Sequence, residues 1–205
     1  GKKAGTFGYT GCFSFFPSKN LGGVGDGGLI ATNDEALKEL LLALRVHGSR
    51  SDYHHDHIGL NSRLDALEAA VLRIKIKSLN RWNAKRAQNA AYYEKLFAEA
   101  ELLEQVDLPF TLSGNLHVFN QFTIRAQKRD QLMAHLKEQE IGHKVYYPVP
   151  LHLQECYQPL GYKKGDLPVS ERLASEVLSL PIYPELSHSQ IEMVVGTIKE
   201  FYENH

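Results

Sequence analysis

The sequence holds 205 residues, 43% hydrophobic and 23% charged, which suits one large domain or two small ones and excludes a peptide-sized scaffold. Its 23 Lys and Arg against 24 Asp and Glu leave a formal charge of −1, a field too weak to gather nucleic acid or a membrane surface, so any phosphate has to be held locally. Cys12 and Cys156 are the only two cysteines; they exclude a disulfide framework and a cysteine-based zinc site, and they fit a reducing, cytoplasmic setting.

The chain opens on Gly1-Lys2-Lys3-Ala4-Gly5, basic but without the apolar run of a signal peptide behind it, and no run anywhere approaches the roughly 18 apolar residues of a membrane span. With no initial Met, the sequence is expected to be a segment of a longer polypeptide. A turn-rich stretch ends in the strand-like Leu29-Ile30-Ala31-Thr32. Asn33 is placed to cap a helix carrying Ala36, Leu37, Leu40, Leu41 and Leu44, which Gly48 stops. The polar stretch 49–59 reads as a His-rich loop. Ser62-x-x-Asp65 then caps a helix with Leu64, Leu67, Val71 and Ile74 on one stripe, followed by a longer helix through Trp82, Ala90, Tyr93 and Phe97.

Beyond residue 104 the elements shorten. The pattern predicts a strand over 117–125, a helix over 130–139 ended by Gly142, and a strand over 144–147 closed by Pro148 and Pro150. Pro168 then starts a helix that carries Leu173, Val177 and Leu178. Ser187-x-x-Gln190 boxes the start of a last helix with Ile191, Val194, Val195, Ile198 and Tyr202. Alternating strands and helices make 105–205 a small α+β domain, with 1–104 a separate one.

Gly23-Val24-Gly25-Asp26-Gly27-Gly28 satisfies the dinucleotide pattern G-x-G-x-x-G, but a strand follows it where that site needs a helix, so a tight turn is the better reading. Just before it, Lys19 follows the aromatic run Phe13-Ser14-Phe15-Phe16 and precedes the glycines. Apolar neighbours would lower the pKa of its ammonium, and a neutral amine attacks carbonyls to form a Schiff base. The competing reading is a solvated surface lysine.

The segment Phe13-Ser14-Phe15-Phe16-Pro17-Ser18-Lys19-Asn20-Leu21-Gly22, with Gly25-Asp26-Gly27-Gly28 after it, resembles the cofactor-lysine motif of the DegT/DnrJ/EryC1/StrS sugar aminotransferases. Further blocks are similar in the same order: Leu44-Arg45-Val46-His47-Gly48, Gly59-Leu60-Asn61-Ser62-Arg63-Leu64-Asp65 through Ala70, Trp82-Asn83 with Arg86, His117 through Phe122, Tyr147-Pro148-Val149-Pro150-Leu151-His152, and Leu180 through Leu186. The resemblance spans essentially the whole chain. It implies an α/β, aspartate-aminotransferase-like fold (pyridoxal-phosphate fold type I), with 1–104 the later part of the large cofactor-binding domain and 105–205 the small C-terminal α+β domain.

By that resemblance the cofactor is pyridoxal 5'-phosphate, Lys19 holds it as a Schiff base and moves the proton, and the Ser14 hydroxyl meets its phosphate. Asn61 matches a position that reaches the phosphate in the other subunit's site of a homodimer; an N-cap for the helix after residue 62 is the alternative. Arg63 matches a position that meets the substrate in members acting on uronic-acid sugars, and a guanidinium suits a carboxylate or diphosphate. Its alternative is to hold the helix start through Asp65. His117, Asn120, Tyr147 and His152 are candidate sugar contacts, while Phe119 and Phe122 read as core. Tyr53-His54-His55-Asp56-His57 has imidazoles and a carboxylate, but adjacent histidines point apart, so a loop at the substrate entrance or in solvent is expected there and no metal site.

The implied activity is transamination of a keto sugar linked to a nucleoside diphosphate, with glutamate as donor, for cell-surface polysaccharide or glycoconjugate synthesis. Two alternatives stand beside it: a silent binding or regulatory protein on the same scaffold, and a sugar dehydratase, which would carry His where Lys19 stands. The acidic partner of the cofactor's pyridine nitrogen, its stacking aromatic and a phosphate-facing helix have no counterpart here. The chain alone is therefore expected to be inactive, or part of the functional polypeptide, and to expose apolar sheet edges.

Overall fold

The structure, a computed structural model, describes residues 1–204 and divides into two compact units, Gly1–Asn80 and Arg81–His205. This division falls before the boundary near 104, because almost all of the long helix packs with the residues that follow it. Among the described residues no helix is long and apolar enough to cross a membrane.

In the first unit β1 (Gly11–Ser14) and β2 (Gly28–Ala31) pair antiparallel, with Ser14 opposite Gly28. Gly28 therefore opens a strand, and the glycine run is a turn. The first helix, α1 (Glu35–Leu44), is capped by Asp34 rather than Asn33; its carboxylate accepts the Leu37 amide at 3.0 Å. The chain reverses after it at Gly48, whose φ is +79° and whose Cβ, if present, would overlap the His57 carbonyl, so only glycine fits. The expected loop at 49–59 contains a short hairpin, β3 (Ser49–Ser51) with β4 (His54–His55), turning at Tyr53 with φ 61°.

The next helix, α2 (Ala66–Lys75), is capped by Asp65, which accepts from Leu67 N at 2.7 Å and Glu68 N at 3.3 Å. Ser62 is not its cap. The expected apolar stripe is displaced: Leu67 and Ile74 are exposed, and the buried positions are Glu68 and Leu72. Phe13, Leu29 and Ile30 are also exposed on the two-stranded sheet, as expected of apolar edges.

The second unit is built on α3 (Leu79–Glu99), whose first two residues belong to the first unit. One α3 face buries Arg86, Asn89, Ala90, Tyr93 and Phe97. It is followed by β5 (Val106–Asp107), β6 (Phe122–Ala126), α4 (Arg129–Glu138), α5 (Pro168–Glu176), β7 (Val177–Leu180) and α6 (His188–Glu203). The strands form an antiparallel sheet in the order β5-β6-β7, and Phe122, Ile124, Leu178 and Leu180 join Tyr93, Phe97, Leu132, Leu136, Ile191, Ile198 and Phe201 in one core. The Ser187–Gln190 capping box is formed as its spacing predicts, with Ser187 N donating to Gln190 Oε1 at 2.9 Å.

Four expectations in this unit are corrected. The strand predicted over 117–125 starts only at Phe122, because the carbonyls of Phe119 and Asn120 accept from the Arg86 guanidinium and Phe119 has a φ of 40°. The strand predicted over 144–147 is reduced to one bridge, Lys144 with Ser179. Val177 and Leu178, which fit helical spacing, lie in β7 because that strand pairs with β6. Gly142 does not stop α4; the chain turns at Glu140, φ 55°.

Candidate active site

The stretch 15–24 is a closed loop at the end of the β1–β2 hairpin. Its neck is made by Phe15 N donating to Gly27 O at 2.8 Å and Gly23 N donating to Phe15 O at 2.7 Å. Both peptide groups of Phe16 are engaged inside it. Its N–H donates to Ser14 Oγ at 3.2 Å, and its carbonyl accepts the Lys19 amide at 2.9 Å. One aromatic residue thereby fixes the backbone positions of Lys19 and Ser14, the two candidates at the head of the motif. Gly22 is required in this turn, since a Cβ there would overlap the Pro17 carbonyl.

Lys19 and Ser14 are both exposed, and so are Phe13 and Phe16. The apolar wall that would desolvate the ammonium is therefore not supplied by its neighbours in sequence. The donor set nevertheless fits pyridoxal phosphate: a primary amine for its aldehyde and a hydroxyl whose proton is free to point at a phosphate, its oxygen being the acceptor from Phe16.

The loop is seated on α2. Val24 N donates to Glu68 Oε1 at 2.9 Å, and Lys75 Nζ donates to the Gly22 carbonyl. Glu68 is buried, and a Cβ on Gly23 would overlap its Oε1. Neither residue stands out in the sequence, where a Glu and a Lys on a helix read as a solvated face; the only signal is the double glycine opposite them.

Asn61 and Arg63 lie on the segment leading into α2. The segment is tied to the end of α1 by Leu60 N donating to Leu44 O at 2.8 Å, Ser62 N donating to Arg45 O at 2.9 Å, and a bridge between Val46 and Asn61. Asn61 is thus not an N-cap. Arg63 donates to Asn61 Oδ1 at 3.0 Å instead of holding Asp65, so these two exposed side chains act as a pair. His54 and His55 lie exposed on β4, where His55 Nδ1 is 3.1 Å from the His47 carbonyl.

The other candidates belong to the second unit. His117 is exposed, with Nδ1 accepting the Phe119 amide at 2.9 Å and its ring tilted on Phe119. Phe119 and Phe122 are core, as expected. Asn120 is half-buried, and its Oδ1 lies out of solvent with no partner among the described residues. Tyr147 is 70% exposed, edge-on to Tyr146. His152 differs from these: it is buried, and its Nε2 lies 3.0 Å from Glu171 Oε1, so its free ring edge is committed within the protein. Glu171 also accepts from Gly165 N at 2.8 Å, and the His152 bond, then that amide, holds its carboxyl below the usual range.

The carbonyls around 117–120 and 181–186 are held by a polar row on α3. Arg86 donates to Phe119 O at 3.0 Å and Ile182 O at 2.8 Å, Asn89 to Tyr183 O at 2.9 Å, and Tyr93 to Pro181 O at 3.0 Å. Burial pushes the Arg86 guanidinium down from its ordinary value, with Glu185 opposing, and burial pushes the Tyr93 phenol up.

The DegT/DnrJ/EryC1/StrS aminotransferase family matches residues 1–199. The chain belongs to this family. A pleiotropic regulatory protein of Geobacillus stearothermophilus is 50% identical, over 100% of this chain and 55% of its own length. A UDP-N-acetyl-3-dehydro-alpha-D-glucosamine 3-aminotransferase of Acidithiobacillus ferrooxidans is 42% identical, over 97% of this chain and 52% of its own. Among solved structures, S. venezuelae DesV in complex with a ketimine intermediate has a TM-score of 0.89 and 42% identity over 96% of this chain and 52% of that one. The fold is thus aspartate-aminotransferase-like, and the chain spans about half the length of the relatives it matches.

Proposed function

We propose that this chain carries the cofactor lysine of a pyridoxal-phosphate-dependent aminotransferase acting on a keto sugar linked to a nucleoside diphosphate. The observation that carries the reading is the turn around Phe16, which sets an exposed amine at Lys19 on the loop and an exposed hydroxyl at Ser14 where β1 enters it. The family match and a 42% identical relative named for amination of a UDP-linked sugar support the substrate class.

When bound, pyridoxal phosphate supplies an electron sink for a carbanion next to nitrogen. Lys19 Nζ would anchor it, and the same amine, when free, would be placed to take a proton from one carbon and return it to another. Ser14 Oγ donates its proton to a phosphate oxygen, and Asn61 offers an amide to the phosphate across a homodimer interface. Arg63, held against Asn61, presents a guanidinium to the anionic part of the sugar nucleotide. His117, Asn120 and Tyr147 supply polar contacts to the sugar. His152 is buried and bonded to Glu171, so it is not among these contacts. Glutamate is the amino donor, and the reaction serves cytoplasmic assembly of cell-surface polysaccharide or glycoconjugate.

A silent regulatory role is the second reading, favoured by the regulatory name of the 50% identical relative. A panel of nucleotide-linked keto sugars with glutamate, given to the full-length protein and to its Lys19→Ala variant, separates the two. Amination by the wild type and none by the variant supports the enzyme. Amination by both removes Lys19 from its role, and amination by neither leaves the regulator.

A further inference from the structure

Two consecutive peptide groups of the lysine loop face α2 with opposite polarity. The Gly22 carbonyl accepts from Lys75 Nζ, and the Val24 N–H donates to Glu68 Oε1 at 2.9 Å. Glu68 and Lys75 stand two turns apart on one face of the helix, and each meets the group of opposite polarity. Gly23 lies between these groups, and any side chain on it would overlap the Glu68 carboxylate, so the loop is drawn down to contact distance. The neck of the loop is closed by the bonds of Phe15 with Gly23 and with Gly27. Leu64, one residue before the cap of α2, sits where a Cβ on Gly27 would be 2.8 Å from its Cδ1. Asn61 and Arg63 lie on the segment that leads into the cap of this same helix.

We infer that Glu68 and Lys75 are positioning residues for Lys19: they clamp the Gly22–Val24 backbone onto α2 and so fix where the amine stands. The inference rests on the reading that Lys19 carries the cofactor. A buried carboxylate aimed at one amide is costly to desolvate unless that bond persists, which is why the clamp holds a closed loop and does not act as a passing surface contact.

The test uses the full-length protein as wild type, Glu68→Ala, Glu68→Gln and Lys75→Met, each checked for native circular dichroism. Amide exchange at Val24 is read without cofactor. The visible absorbance of added pyridoxal phosphate, its dependence on pH, and borohydride fixation on Lys19 are read with it. Glu68→Ala should speed exchange at Val24 about tenfold, the loss of one charge-assisted bond. It should also slow fixation on Lys19 severalfold and move the pH midpoint of the absorbance band. Glu68→Gln keeps an acceptor oxygen and should stay within about twofold of wild type. If Glu68→Ala does not accumulate as folded protein, Lys75→Met, which keeps the aliphatic stem, is expected to shift the same readouts in the same direction. Unchanged fixation and pH midpoint in the folded variants overturn the inference, whether or not Val24 exchange changes. A wild-type protein that takes no cofactor on Lys19 overturns instead the functional reading beneath it.

Discussion

Replacing Arg86 by Met removes the guanidinium from the second unit while keeping most of the buried stem. Arg86 is 8% exposed and donates to Ile182 O at 2.8 Å and Phe119 O at 3.0 Å, with a longer bond to Asn120 O at 3.4 Å. A bond from a charged donor contributes about 1.5–3 kcal/mol, so the two short ones set a gross loss of about 3–6 kcal/mol. Two effects reduce it. Arg86 Nε has no partner among the described residues, and burial already pushes the guanidinium down from its ordinary value, a desolvation that an apolar side chain relieves. The net destabilisation expected is about 2–3 kcal/mol. Trp82, the one tryptophan of these 205 residues, lies on the same helix one turn before Arg86, so its fluorescence in this 205-residue chain reports unfolding of this unit. With a urea m-value of about 2 kcal/mol/M, the midpoint should fall by about 1–1.5 M at unchanged m. A midpoint within about 0.3 M of wild type would show that the carbonyls find other donors and refute this ledger.

Other residues give smaller or differently signed effects. Tyr93→Phe leaves the Pro181 carbonyl without its 3.0 Å donor in the core and should cost about 1–3 kcal/mol on the same urea assay. Ser187→Ala breaks the capping box of α6 and should cost about 1 kcal/mol, with fraying seen as faster exchange at the Gln190 amide. The Glu171 carboxyl is held low by His152 and Gly165, so its contribution is complete above the ordinary carboxylate pKa of about 4.3 and disappears as pH falls through its lower folded value. Exchange at the Gly165 amide should therefore rise only in that acid window, and Glu171→Gln should abolish the acid step; an acid step that survives in Glu171→Gln assigns it to another group.

How legible these features were in the sequence depended on whether the decisive contact was local. Ser187 and Gln190 lie three residues apart and close a box within one helical turn, so the pattern was sufficient. The Lys19 turn was equally visible, since its aromatic run and glycines adjoin it. The cap of α2 passed to Asp65 from Ser62 by a shift of three residues, within the reach of two neighbouring good capping side chains. By contrast β7 exists because β6 is beside it; Leu173, Val177 and Leu178 fit helical spacing just as well until that pairing is known. Glu68 and Lys75 were hidden for the same reason, as their partners lie 44 and 53 residues away and nothing adjacent marks either residue as buried or engaged. His152 had a polar side chain in a matching motif, but its position against Glu171 is a fact of tertiary packing.

The most direct test of the proposed role of Lys19 is borohydride reduction of the full-length protein after addition of pyridoxal phosphate, followed by mass mapping of the peptide that spans Phe13 to Gly22. Reduction should leave the cofactor's mass on Lys19 alone, with no label in Lys19→Ala. Label absent from Lys19, or spread over several surface lysines to the same extent in the variant, would contradict the assignment of this loop as the cofactor site.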